Sequence, residues 1–569
     1  MLALLILLCF TITSCKKDEP SDTDSDTSVP QTDAPPVDVP PQPIVLADKG
    51  EVVFEMVMPE DLDELRRDMV RDLVTDLTRY TGDSSIDVTL SDTNSYDASA
   101  KQILIDDTGY TESDEVLNSL GYGEWTVRFV NNKLVIAAYS NQGYYMAIKS
   151  FLKDIKSTVT EDKSVTLLSD YNTLTVEIEQ ANMLPRFDGK KPWVVDEGEN
   201  TALALFTNTN VEDYNAYLEK ITAAGYTLYT TNTMAGNLFN TYDNGEYVIH
   251  AAYYKADKSM RITAEKKTAL VPREGEDKWT ANASVVSSLA LVGASEKASQ
   301  TLGCVYQLAD GSFIIIDGGM EYCANDIYRY VKAKAPDPNN IVIAAWIITH
   351  LDADHHRAFT SFFAIDEDNT SVEKVILSSA GAYSYLEGNA GDESGVVYLA
   401  ERLPGCQVIK AHTGQKYYIR NAVVEILYSL DNHFPEIVNN LNAISLVFTV
   451  EISGDKALFM GDATESVATK MLDMYGDYVK SDMLQLSHHG QRNGTGLSMA
   501  GTERLYTVIR PEVVLWPASE EGYFDESLGE GKIMYKYSWN IVAMSGARET
   551  YLAGHDITVF ELPYSFFSA

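Results

Sequence analysis

The stretch THLDADHH, residues 349–356, sets His350, Asp352, Asp354, His355 and His356 directly behind the apolar run IVIAAWII. Side chains alternate along an extended segment, so positions 350, 352 and 354 point to one side. A turn into the helix beginning HRAFTSFF swings Asp354 and His355 away from His350 and Asp352. The result is two neighbouring ligand sets, suited to two metal ions roughly 3.5–4 Å apart. One loop cannot close such a site. FMGDAT adds Asp462 at a strand end, with Gly461 permitting close backbone approach, and QLSHHG adds His488 or His489, with Gly490 turning the chain. Mixed histidine and carboxylate ligation suits zinc, and also manganese or iron.

These motifs need rigid elements to position them. From about residue 276 onward, apolar runs end repeatedly in acidic or histidine-bearing loops: SFIIIDGG, IVIAAWIITHLDADHH, VEKVILSSA, ALFMGDAT, DMLQLSHHG and EVVLWPAS. Strands fix the backbone and the loops at one sheet edge supply the ligands. In their order and spacing IIIDGG, THLDADH, GDAT and SHHG resemble the metallo-β-lactamase fold. The variant letter, Asp352 where that family usually carries histidine, together with SHHG, looks like its ComEC-like group.

The resemblance implies that His350 and Asp352 bind one metal, that Asp354, His355 and His488 bind the other, and that Asp462 bridges them. Asp317 matches an aspartate that supports the site without binding metal. Asn442, His433 and His412 are the alternatives for the remaining ligand of the first metal. Asp354 is expected also to orient the nucleophile and His489 to face the substrate, with the leaving group protonated by a metal-bound water or by His489. His356 is expected on the helix surface and Arg357 at the pocket rim. His555 is expected where a late strand begins, with packing favoured over an active-site role.

The expected activity is metal-dependent hydrolysis of a phosphodiester, because hard oxygen ligands suit metals that handle phosphate. Hydrolysis of an ester or lactone is the nearer alternative. A non-catalytic surface protein that binds a glycan or wall polymer is the more distant one. The net charge of −39 disfavours nucleic acid as a partner, since phosphates are bound by neutralising them with Lys and Arg.

Outside this region, LALLILLCF followed by ITSC resembles a lipoprotein signal peptide over residues 1–15. Cys15 would then carry the lipid and hold the protein on the outer face of a bacterial membrane. Residues 16–47 are acidic and rich in Pro, Ser and Thr, and read as a disordered tether. Residues 48–180 read as an α/β unit similar to small accessory domains of secreted carbohydrate-active enzymes, which implies contact with a cell-wall glycan. Residues 181–275 read as a small α+β unit of one capped helix and three alternating strands. Residues 276–569 form the expected αββα hydrolase domain, so the chain is of α/β class overall. Cys304, Cys323 and Cys406 are scattered and read as buried, inert thiols.

Overall fold

A computed structural model describes residues 40–565, apart from 199, 271, 294–301, 379–389, 435, 437, 439, 491–502, 520–538, 541 and 555. The signal-like segment with Cys15, most of the tether and His555 therefore lie outside the described residues. No described helix is long and apolar enough to cross a membrane. The tether ends earlier than its composition suggests. Pro43–Asp48 is already a strand, paired with Val165–Leu168, and it buries Leu46 and Ala47.

The first unit is a six-stranded sheet in which Glu55–Met58, Val88–Leu90, Gln102–Ile105 and Lys133–Ala138 run parallel. Its leading helix, Glu64–Thr81, starts where the Asp63 carboxylate accepts the Arg66 N–H and stops at Gly82 in the left-handed region. Val70, Leu73 and Leu77 give it the apolar stripe that covers one sheet face, and Leu62, just ahead of the cap, joins the same core.

In the second unit the helix Val211–Ala223 opens with a full capping box between Asn210 and Asp213. Its sheet is larger than three strands. It has six, because the run after the helix forms four strands, Thr227–Met234, Asn237–Asp243, Tyr247–Tyr254 and Ser259–Lys266, and Trp193–Gly198 and Thr201–Phe206 add to the edge; it is antiparallel throughout. Both of its faces are buried. One face packs against the helix and the first unit, and this is where Tyr214, Tyr217, Tyr226, Tyr242 and Tyr253 lie. The other face places Met234, Phe239, Ala252 and Tyr254 in the core of the C-terminal region. The tyrosines are packing residues, not a ligand face.

The C-terminal region is a four-layer αββα sandwich. An eight-stranded and a seven-stranded sheet share a core that includes Ile316, Ile347, Phe448 and Phe459. Helices Ala324–Lys334, Ala353–Phe362 and Ala390–Ala400 cover the outer face of the first sheet, and Glu465–Tyr475 and Glu503–Ile509 that of the second. Strand Ile341–Ile348 reads IVIAAWII because both of its faces are buried. It lies parallel between Phe313–Asp317 and Lys374–Leu377. In the facing sheet, Asp455–Phe459, Met483–Gln485 and Val513–Trp516 are also parallel to one another. Loops from both sets of strand ends meet at one edge. Leu446 N–H donates to Thr349 O at 2.8 Å and His488 N–H to Gly461 O at 3.1 Å, which ties those loops together.

Candidate metal centre

Thr349 and His350 follow the central strand directly. Thr349 donates to the Asp317 carboxylate twice, through its N–H and its Oγ1, both at 2.7 Å. The same carboxylate lies 2.8 Å from Nδ1 of His355, which fixes the ring so that Nε2 faces the loop cluster. Asp317 is fully buried and holds a left-handed backbone, φ 54°. Its geometry is that of a residue orienting a ligand.

Asp352 caps helix Ala353–Phe362, so Asp354 and His355 occupy the first turn. His350 Nε2 lies 3.5 Å from Asp352 Oδ2. On the far side of His355, Asp354 Oδ2 is 3.3 Å from His489 Nε2. Between the two pairs stands Asp462, whose carboxylate is 3.2 Å from His355 Nε2, 3.5 Å from His489 Nε2, 3.8 Å from His488 Nε2 and 4.0 Å from His350 Nε2. Among the described residues, two groups have ligand atoms all within 4.8 Å of one another: His350, His355 and Asp462, and Asp354, His355 and His489.

Asp462 reaches this position because Gly461 has φ 52° and sits hard against Thr349, where a side-chain Cβ would come within 2.7 Å of Oγ1. His488 and His489 are both left-handed, φ 51° and 52°. Such backbone costs of order 1–3 kcal/mol per residue and clusters at functional sites.

The paired histidines are arranged differently from expectation. His489, not His488, stands with Asp354 and His355. Its Nδ1–H donates to Pro517 O at 2.8 Å, so Nε2 faces Asp354 and Asp462. That ring nitrogen is placed as a metal ligand would be. His488 is the more open of the two, and its Nε2 is 3.4 Å from Asn442 Nδ2. Both residues adopt left-handed backbone, which a sequence pattern does not announce.

Of the three alternatives for the remaining ligand, Asn442 is the one that borders the cluster. His412 is engaged elsewhere, with Nδ1 3.0 Å from Asp431 and Nε2 3.3 Å from Glu265. His433 is buried but belongs to neither ligand group. His356 is buried as well, not on the helix surface. Arg357 is half-exposed and 3.8 Å from Glu321.

Five buried ligand atoms in this cluster make no hydrogen bond: His350 Nε2, His355 Nε2, His489 Nε2, Asp462 Oδ1 and Asn442 Oδ1. Buried polar atoms are nearly always satisfied, so five that converge mark a place for cations. The electrostatics agree. Burial works to strip the proton from His489, yet Asp462 and Asp354 outweigh it and hold its pKa up at about 10. Burial likewise penalises the Asp462 charge, but His355 and His489 hold that carboxyl well below its ordinary range. Positive charge is what the pocket requires, and nitrogen and carboxylate donors in this ratio fit zinc, manganese or iron.

No protein-family profile and no curated protein matches the sequence. Solved structures with some likeness include the metallo-β-lactamase fold protein YhfI from Bacillus subtilis, at 11% identity over 48% of this chain and 100% of that one, TM-score 0.31. Zinc-bound PqqB from Methylobacterium extorquens matches at 10% identity over 48% and 100%, TM-score 0.30. The diiron β-hydroxylase CmlA from Streptomyces venezuelae matches at 13% identity over 49% and 54%, TM-score 0.33. The αββα layers and the histidine–carboxylate cluster at their loop edge are this chain's own evidence for the metallo-β-lactamase arrangement.

Proposed function

We propose that the C-terminal sandwich is a two-metal hydrolase that cleaves a phosphodiester on the outer face of a bacterial membrane, where a lipid on Cys15 anchors the chain. The convergence of five buried, unsatisfied ligand atoms on Asp462 carries the metal-centre reading. His350, Asp352 and Asn442 would hold one ion, Asp354, His355 and His489 the other, and Asp462 would lie between them. Bound divalent ions supply positive charge for the substrate's oxygens and lower the pKa of a water.

The chain's own residues do the positioning. Asp317 fixes the tautomer of His355, and Pro517 O fixes that of His489. Asp354, half-exposed beside His489, is placed to accept a hydrogen bond from the attacking water. His488 and Asn442 border the cluster from the opposite side. Burial pulls the pKa of His488 below the ordinary histidine value, so its ring is neutral at pH 7 and offers a lone pair or a hydrogen bond to substrate.

The carboxylate share of the donor set favours a phosphodiester over a lactone. The test is metal content of the purified protein, followed by turnover of bis-p-nitrophenyl phosphate and of a lactone after loading with zinc or manganese. Metal binding with phosphodiester turnover is expected. Lactone turnover alone would redirect the substrate class, and absence of both metal and turnover would reject the enzyme. The anchor is tested by radiolabelled fatty-acid incorporation, which Cys15→Ala should abolish.

A further inference from the structure

The first unit has a cleft that the hydrolytic reading does not use. Strands Glu55–Met58 and Gln102–Ile105 are parallel neighbours, but their following helices go to opposite faces. Glu64–Thr81 packs on one face with Leu73 and Leu77, and Thr111–Ser119 packs on the other with Val116 and Leu117. Chain that divides in this way leaves a crevice beyond the carboxyl ends of the strands, where open α/β sheets bind ligands. A cavity of about 180 Å³ lies there. That is well beyond the roughly 10–15 Å³ that one water needs, and leaves room for a ring-sized ligand.

The walls are built. Arg66 donates to Asn141 Oδ1 at 2.7 Å and to Tyr139 O at 3.0 Å, and it pairs with the buried Asp106. Asp106 holds a left-handed backbone, φ 59°, at the end of its strand. The second unit closes the cleft with Lys191, which bridges Asp107 and Asp114, and with Trp193, which is 41% exposed. Val194 bridges to Ser140 and fixes that wall to the first sheet. Among the lining residues, Asp61, Asp63, Asp106 and Asp107 outnumber Arg66 and Lys191, which disfavours an anionic ligand.

We propose that this cleft is a saccharide subsite for one ring of a neutral or amino sugar, with Trp193 stacking on the apolar C–H face and Asp107 and Lys191 binding hydroxyls. The chemistry follows from the combination. A sugar presents one apolar face and an edge of hydroxyls that both donate and accept, and few other small ligands match an exposed indole beside a carboxylate–ammonium pair. Nothing in it depends on the metal centre.

The test is calorimetric titration of the full chain with cellotriose, maltotriose and chitotriose. Saturable binding of at least one is expected, weakened about tenfold or more, roughly 1.4 kcal/mol, in Trp193→Ala and retained in Trp193→Phe. Asp107→Asn should weaken it too. Melting temperature and phosphodiester turnover should be unchanged in Trp193→Ala, because the side chain is exposed. Absence of saturable binding to all of these sugars, or undiminished binding in a folded Trp193→Ala, would overturn the proposal.

Discussion

Asp317 never needs to touch a metal to decide how well one is held. Its carboxylate fixes both Thr349 and His355, so Asp317→Asn should reduce metal affinity by about 10–100-fold while the protein stays folded, as read by competition with a chelator. Asp462→Ala should do more, removing the acceptor common to both ligand groups and abolishing turnover. Asp352→His tests the variant letter. It should shift metal preference toward zinc and raise lactone relative to phosphodiester turnover, and an unchanged ratio would count against the phosphodiester reading. The residues singled out from the sequence, at strand ends followed by HxDxDH, GD and HHG, lie together at one loop edge. The sequence left His488 or His489 open and the resemblance pointed to His488, whereas His489 is the one grouped with Asp354 and His355, on left-handed backbone that a sequence pattern does not announce.

The elements that deliver these side chains were legible wherever both faces are buried or one face is regular. IVIAAWII, FIIID and the stripe Leu62–Leu77 all announce their strands or helix. Close approach between loops was only half legible. Gly461 reads as a glycine before an aspartate, but its neighbour Thr349 comes from more than a hundred residues away. Gly461→Ala should destabilise by about 1–3 kcal/mol through strain and push Asp462 off its position. Thermal unfolding and metal content measured on one sample would separate the two effects. Retained metal with lowered stability would mean that the loop absorbs the clash without moving the carboxylate.

Across the whole molecule, the second unit is bound to the C-terminal sandwich by contacts that no periodicity could reveal. His250 Nε2 donates to Thr413 O at 2.7 Å, Asn232 donates to Gly414 O at 3.0 Å, Asn237 donates to Met474 O at 2.8 Å, and Phe239 seats on Gly414. His412 stacks on His250, with ring centroids 5.4 Å apart, and faces Asp431 and Glu265. Burial opposes its charge, but the carboxylates prevail and hold its pKa at about 10. A raised folded pKa contributes stability that is complete below the unfolded value of about 6.5 and is lost as pH rises toward 10. The intact chain should therefore lose stability between pH 7 and 10 more steeply than His412→Gln, as read by urea midpoints. His412→Leu, which leaves the buried Asp431 carboxylate without its histidine partner, should cost about 3–5 kcal/mol at pH 7.

The same seam bears on how the sandwich could be reused. A catalytic module that travels between genes must carry a surface finished with water-compatible side chains wherever it is cut. Here the cut would lay open Leu427, Met460 and Leu484 beneath the lost sheet, with a charged histidine left between carboxylates. The block that begins at Pro43 is thus the unit that recombination can move and that selection must keep intact.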